Sequence, residues 1–534
     1  IASYAGYMPA TKTITAAGEY VFNLLPDQQL NEVVVTATMK EVTKLNSPIP
    51  VEVYTPTHLR KNPTPNIFEA LNMINGVQPQ MNCNVCNTGD IHINGMDGPY
   101  TMVLIDGMPI VSSLSTVYGL SGIPNSMVKR IEVVKGPAST LYGSEAVGGV
   151  INIITKDDQT SPRFAIDLSA TSFREYNADV TAKWKIKKHN ALLGINHFDF
   201  WRVTDKNNDT FTDITLQRRT AIFNKWSLHR RNGRQANIAL RYIYENRWGG
   251  QTNWSRRYRG SDSIYGESIY TNRVEVIGNY ELPVRTQNIF LDYAYNYHLQ
   301  DSYYGTTKYF GRQHVGFAQL RWQKKIARHA VLMGLPARFT YYDDNTPGTF
   351  APTLSQNQPE ETFLPGVFLQ DEFEVGSKFT LLAGLRYDRH SKHGNIYSPR
   401  LSFKYSPNKN HTFRLSSGNG FRVVNLFTED HAALTGARTV VIKNKLQPEQ
   451  SWNANINYAT NMAIGNGFAG IDVSGFYTYF TNKIIGDFLT DPQLIIYDNL
   501  PGYAVSRGIT VNADLAFSNG ITLLAGATYM NVFQ

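Results

Sequence analysis

From about residue 163 onward the chain alternates apolar and polar positions in segments of about ten residues. Within 290–299, Leu291, Tyr293, Tyr295, Tyr297 and Leu299 share one face, and Asp292, Ala294, Asn296 and His298 share the other. Residues 235–244 repeat this with Ile238, Leu240, Tyr242 and Tyr244 against Asn237, Ala239 and Arg241. So do Val511, Ala513, Leu515 and Phe517 against Thr510, Asn512 and Asp514, and Ile471, Val473, Tyr477 and Tyr479 against Asp472, Ser474 and Thr478. A period of two places alternate side chains on opposite faces of a strand. A closed soluble core would need aliphatics on its inner face, whereas this second face carries Asp, Asn, Arg and His. An aromatic-rich face backed by a polar one predicts a transmembrane β-barrel with aromatic girdles. The connections agree, being tight at 187–190 and 406–410 and long at 246–268 and 343–361. About eighteen strands fit between residues 163 and 533, and the last, 521–532, has no later partner. An open edge cannot sit in lipid, so the chain reads as cut there, as it does at Ile1, which opens in mid-pattern.

The first third has another texture. Residues 1–29 read as the tail of a small β unit, and 30–37 as a β-branched run before a polar linker. Residues 46–158 are Gly-rich and mixed, with a helix over 66–74 capped by Asn66 and buried-type strands at 91–94, 101–105, 130–134 and 149–155. Charged residues are 18% of the chain, against roughly 25% in ordinary soluble domains, and 31 residues are Tyr, which suits an apolar–aqueous boundary. No run of 18 apolar residues exists, so no transmembrane helix is expected. The net charge of +8 comes from scattered basic residues with no arm of the kind that binds nucleic acid. A signal peptide is not discernible at Ile1.

The segment VLIDGMP at 103–109 is followed by KRIEVVKGPAS at 129–139 and LYGSEAVGGVINIITK at 141–156. Together these resemble the plug domain of TonB-dependent outer-membrane receptors. Further agreement lies at GLRYD (384–388), SPRL (398–401), 418–426 and LQPE (446–449). The resemblance implies an all-β, 22-stranded antiparallel transmembrane barrel of which about four strands lie beyond Gln534, enclosing a small mixed α/β plug. The implied domains are the end of a carboxypeptidase-regulatory-like unit at 1–29, a TonB box and linker at 30–45, the plug at 46–158 and the barrel at 159–534. It implies Glu32, Val33, Val34, Val35, Thr36 and Ala37 as the segment offered to TonB, which can add as a strand to a partner sheet. The function implied is TonB-energised import of an iron chelate, a ferric siderophore or haem, with copper or cobalamin as the alternative cargo. A non-transporting surface binding protein is the competing class. A passive porin would have neither the box nor the plug, and no catalytic constellation is present. Implied partners are TonB with its inner-membrane energising complex, outer-membrane lipid and lipopolysaccharide, a small-molecule metal chelate and, as an open addition, a surface lipoprotein. The barrel is expected to be monomeric in the outer membrane of a Gram-negative bacterium, and no cofactor is required, iron or copper entering only with the ligand.

Candidate ligand residues fall into three groups. In the family's arrangement, plug segments 81–90 and 110–119 face outward. The first carries Met81, Cys83 and Cys86 with His92 close behind, and the second carries Ser112, Ser113 and Tyr118. Thioether, thiolate and imidazole suit soft metals such as Cu(I); a local disulfide between Cys83 and Cys86 is the other reading. The stretch 421–426, His431 and 444–449 resemble the boxes around an axial His in haem receptors, although the first box lacks its Pro. This makes His431, with Cys83 and Cys86, a candidate metal ligand, or else a loop His. Finally, 246–268 interleaves Trp248, Trp254 and Tyr258 with Arg247, Arg256, Arg257 and Arg259. Such a surface suits flat anionic chelates by stacking and charge-assisted hydrogen bonds, or anionic lipopolysaccharide. Arg130 and Glu132 are charges set among apolar residues; buried ions must be paired, and the lumen wall is the expected source of partners.

Overall fold

The computed structural model describes residues 20–22, 33–59, 61, 62, 64, 66–83, 88–110, 120, 122–157, 160–346, 349–351, 356–424, 438–464, 467–517 and 521–534. Seventeen strands, from Phe164–Ala170 to Thr522–Phe533, form one sheet in chain order, each antiparallel to the next. The sequence suggested about eighteen. Short strands in the long connections, such as Thr439–Ile442 and Leu494–Asn499, pair in separate sheets and add nothing to the wall. Among the described residues the first and last wall strands are not paired with each other. The faces follow the alternation: Leu240, Tyr242, Leu291 and Tyr295 are exposed, whereas Arg241, Asp292, Asn296 and His298 are buried. Exposed outward apolar positions are what lipid requires, because the strands satisfy every backbone group laterally and leave only side chains to face the bilayer.

The wall wraps a plug. Its five-stranded sheet runs Glu52–Tyr54, Val128–Lys135, Gly149–Thr155, Thr101–Ile105 and Met108–Pro109 in lateral order. Only the pair Thr101–Ile105 and Gly149–Thr155 is parallel. Asn66 caps the short helix Ile67–Ala70 by accepting from the Glu69 N–H at 2.9 Å, and a 3-10 turn, Leu71–Met73, completes the expected helical stretch. Beside the sheet lies a hairpin, Val77–Cys83 with Thr88–Ile93. Ile67, Leu71, Ile91, Ile105, Ile131 and Ile153 share one apolar core on the sheet's flank. Gly136, at φ 110, is needed where the plug backbone meets the wall, since a Cβ there would stand 2.4 Å from the Asn455 amide.

Plug-to-wall contacts reach strands all round the sheet. Asn125 N–H donates to Asp179, Lys225 to Asp106, Thr140 to the Ser398 carbonyl, Asn75 to Asn512 and Ser506 to the Asn94 carbonyl. The lumen face of the wall also carries a buried charge ladder. Arg241 donates to Glu275 at 2.6 Å, Arg273 pairs with the same carboxylate and donates to the plug's Ile110 carbonyl, and Arg247 and Arg219 flank Glu245. Removing one partner of such a group leaves a charge unmatched out of water, at a cost of about 3–5 kcal/mol. Glu275→Ala is therefore expected to lower the thermal midpoint of the detergent-solubilised protein clearly, measured by loss of β-structure in circular dichroism. An unchanged midpoint would show that the ladder contributes nothing.

Candidate functional site

The functional geometry lies at the two ends of the lumen. At the end with tight turns (187–188, 327–328 and 406–410), the chain enters the plug through Val33–Val34, which pairs antiparallel with Val42–Thr43. The side chains of Val34, Thr36 and Ala37 are buried. The Glu132 carboxylate, fully buried, accepts from the Val35 N–H at 2.9 Å, the Thr36 N–H at 2.9 Å and the Thr36 hydroxyl at 2.6 Å. Its other oxygen takes the Arg130 guanidinium at 2.7 Å. The two embedded charges are thus paired with each other and with the entering segment, not with the wall, because their strand lies inside the plug sheet. Tyr142 donates to the Thr36 carbonyl at 2.8 Å; burial and then the Glu132 charge push its phenol up, so it stays a donor. Asn152 donates to the Thr36 hydroxyl, and Arg400 to the Ala37 carbonyl. Glu32 lies outside the described residues.

At the opposite end the connections are long, and the lumen wall turns aromatic. Tyr304, Tyr309 and Tyr342 pack with Ile269, Ile495 and Tyr497, and the Tyr309 and Tyr342 hydroxyls lie 3.1 Å apart. Ile495 and Tyr497 belong to Leu494–Asn499, which pairs parallel with Thr439–Ile442 and antiparallel with Ile484–Asp487. These strands arise from connections far along the sheet yet contact tyrosines of earlier strands, so the small sheet reaches across the mouth. Below it stands the plug's upper side. His92 Nε2 is 2.8 Å from Asp90 and Asp97 is 3.3 Å from Lys483. Burial lowers the His92 pKa, but the hydrogen bond and charge of Asp90, with Asp97 beyond it, outweigh that and raise it overall. Tyr100 lies under the Arg422 guanidinium (4.6 Å) and against Phe480, and Arg422 donates to Glu449 at 2.6 Å.

The sequence-derived residues are distributed unevenly over this geometry. Met81 is exposed on one strand of the plug hairpin opposite Gly89, and His92 stands further along the other strand, opposite Gln78. Cys83 ends the strand Val77–Cys83, and Cys86, Ser112, Ser113, Tyr118 and His431 lie outside the described residues. In the two boxes, Arg422 and Glu449 come together as cross-strand neighbours, which spacing alone does not show. Asn482 donates to the Pro448 carbonyl of the second box, and the Gln447 N–H donates to Asn499, which ties that box to the mouth sheet. The expected loop 246–268 is shorter, because Ala236–Gly250 and Gly266–Glu281 extend into it. Trp248, Trp254, Arg256 and Arg259 are found against outward-facing wall residues, away from the lumen, since Trp248 follows the outward parity of Tyr242 and Tyr244. Arg257 sits exposed in the same turn.

Two measurements test this geometry. Glu132→Ala removes two or more charge-assisted contacts of roughly 1.5 kcal/mol each. Trypsin cleavage after Lys40 should therefore accelerate on the order of 100-fold relative to the parent, and an unchanged rate would mean that Glu132 does not hold the segment. A raised folded pKa means that the His92–Asp90 pair contributes fully below the unfolded value of about 6.5, and that this stability is lost as pH rises through the folded value. The gap in thermal midpoint between the parent and His92→Gln should accordingly shrink as pH is raised from 5 to 9.

Comparison with known proteins places this architecture. The TonB-dependent receptor plug domain matches residues 43–150, and the TonB dependent receptor-like β-barrel matches residues 171–534. An iron-regulated outer membrane virulence protein of Vibrio cholerae serotype O1 is 26% identical over 471 residues, covering 84% of this chain and 69% of that protein. The siderophore receptor PirA from Pseudomonas aeruginosa superposes with a TM-score of 0.68 at 19% identity, over 90% of this chain and 85% of that one. FpvA of Pseudomonas aeruginosa bound to a heterologous pyoverdine gives 0.70 at 15% identity, over 95% of this chain and 73% of that one. At such identities the structures speak for the fold alone, and the family models carry the assignment. With the barrel match covering well over half its length, the chain belongs to the TonB-dependent receptors, plugged β-barrels of the Gram-negative outer membrane that work with TonB and are not enzymes.

Proposed function

We propose that this receptor imports an iron chelate, a ferric siderophore or haem, with TonB pulling on the segment 32–37. The observation that carries the reading is the grip of Glu132 on Val35 and Thr36: the segment, the short strand Val33–Val34 and the turn that follows it, is tied to the plug's central sheet by a few hydrogen bonds. Force on it is delivered directly to Val128–Lys135, and thence to the sheet that fills the lumen. Edge addition to a partner sheet supplies the grip on the other side. At the external mouth the rings of Tyr304, Tyr309 and Tyr342 are packed beneath Ile495 and Tyr497, and Arg422 is paired with Glu449, so their stacking and charge-assisted contacts reach a flat anionic chelate once the cargo displaces the small sheet above them. The names of the relatives support iron, one being iron-regulated and others siderophore receptors. On this reading the plug's Met81, Cys83, Cys86, His92, Ser112, Ser113 and Tyr118 meet the cargo from below. His431 is an axial ligand only if the cargo is haem.

Copper remains the second reading, because Met81 is exposed on the hairpin that carries Cys83. Calorimetry of the purified protein against two chemically distinct ferric siderophores, haemin, Cu(I) and cobalamin separates them. An iron chelate is expected to bind equally in the parent and in Cys83→Ser/Cys86→Ser. Deleting 33–37 should leave that binding intact while abolishing accumulation in cells. Binding of copper alone, lost with the cysteines, would overturn the iron reading, and uptake that survives the deletion would overturn the role of the segment.

A further inference from the structure

One cavity lies on the outward face of the wall, not in the lumen. It encloses about 510 Å³ and is lined chiefly by Trp201, Tyr244, Trp248, Trp254, Arg256 and Tyr270. Its height relative to a bilayer can be read from the strands. Outward positions run Ile238, Leu240, Tyr242, Tyr244 on one strand and Leu291 through Leu299 on another, then turn polar at Asn246, Asn272, Asp301 and Arg312. The eight residue steps from Leu291 to Leu299 make roughly 27 Å along a strand, or about 19 Å of height at a ~45° tilt, most of the ~25 Å apolar band of such barrels. The opposite margin carries its own aromatic ring, with Trp184 edge-on to Trp226 and Trp322 donating to Gln287. The cavity therefore stands where the outer leaflet's acyl chains meet their headgroups.

Its chemistry matches that level. Trp248 stacks on Trp254 at 4.8 Å, with Trp201 edge-on at 6.5 Å. The turn 251–265 is bent outward and pinned there by Arg259, which lies 4.5 Å over both Tyr270 and Tyr303 and 3.0 Å from the Asp301 carboxylate. Arg218 is likewise committed to Asp199. Arg256 and Arg257 are exposed, and among the described residues neither has a carboxylate partner; their contacts are to the rings of Tyr270 and Tyr258. Trp254 is more than nine-tenths buried, and its indole N–H has no hydrogen-bond acceptor. The neighbouring acidic side chains Asp205, Asp209 and Asp213 accept from backbone N–H groups of their own connection. Asp262 is the turn's single carboxylate. Two free guanidiniums and an orphan donor above an aromatic floor ask for an anion that carries an apolar tail.

We propose that this outward pocket binds a phosphorylated glycolipid of the outer leaflet, its phosphate held by Arg256 and Arg257 and its acyl chains descending past Tyr244 and Leu299. A cargo chelate seated here would be outside the barrel, so these arginines serve the membrane and not transport. The inference stands independently of what the receptor imports. Native mass spectrometry of the detergent-solubilised protein tests it, with added diphosphorylated lipid A, the same lipid with its phosphates removed, and inorganic phosphate. Retention of the phosphorylated lipid is expected to fall on the order of tenfold in Arg256→Gln/Arg257→Gln, two charge-assisted contacts being lost. Trp254→Phe, which keeps an aromatic ring and removes the indole N–H, should weaken retention less. Both positions of the double variant are exposed, and unchanged circular dichroism confirms that its barrel is intact. Equal retention of the dephosphorylated lipid would reduce the pocket to an apolar contact, and inorganic phosphate binding as tightly as the lipid would make it a site for free anions. Retention unchanged in the double variant, or loss of chelate binding there, would equally overturn the proposal.

Discussion

A carboxylate removed from water must be matched, and Glu132 is matched by the segment that enters the plug. Three donors from Val35 and Thr36 and one guanidinium from Arg130 occupy its two oxygens. The group sits in the strand Val128–Lys135, between Glu52–Tyr54 and Gly149–Thr155. The stability of the plug's charged centre and the hold on its pullable segment are therefore one interaction. Drawing the segment out leaves Glu132 and Arg130 buried with fewer partners, which loosens the sheet that blocks the lumen. A purely apolar anchor would release the segment without transmitting that disturbance, because apolar contacts are non-directional.

The same demand for matched polar groups governs the wall. A strand in lipid satisfies its backbone laterally and exposes one side-chain face to hydrocarbon, which leaves the other face free to be polar only if something polar fills the lumen. The plug meets that condition with backbone carbonyls as much as with side chains: Ser398 and Arg386 on the wall exchange hydrogen bonds with Thr140 and the Leu141 carbonyl, and Arg414 reaches the Ser47 carbonyl. Many of these contacts are directed at plug main chain, so they fix position without demanding a particular plug side chain. Contacts of this kind can be exchanged as the plug reorders, whereas the plug–wall ion pairs Lys225–Asp106 and Arg338–Glu145 must break for it to move.

What could be read in the sequence was whatever depends on parity and local turns. The alternation in 290–299 and 235–244 gave the correct faces residue by residue, and Asn66 caps its helix as expected. Strands 101–105 and 149–155 fall at the expected positions because their β-branched runs are bounded by Gly or turns. Pairings distant in the chain were not legible. Thr36 and Glu132 are 96 residues apart, and Arg422 and Glu449 meet only because their strands share a register. The parallel pairing of Thr439–Ile442 with Leu494–Asn499 has no local signature at all. Local composition at these sites names the chemistry but leaves the partner open.

The aromatic–arginine cluster shows how parity outranks composition. Trp, Tyr and Arg interleaved over 246–268 suit a chelate and a lipid phosphate equally well, so composition cannot choose between them. Position can, because Tyr242, Tyr244, Asn246 and Trp248 share one parity, and Tyr242 faces outward. Extending the strand by six residues beyond Tyr244, to Gly250, carries the cluster over the barrel's outer surface, where Arg259 fastens it to Asp301. The tyrosines at the mouth have the opposite parity on their strands: Tyr304 is in step with His298 and Gln300, and all three are buried in the lumen. In a barrel wall, one residue of register separates a surface that receives cargo from one that receives the membrane. Aromatic and basic residues near the rim therefore acquire a function only once their parity with the apolar band is counted.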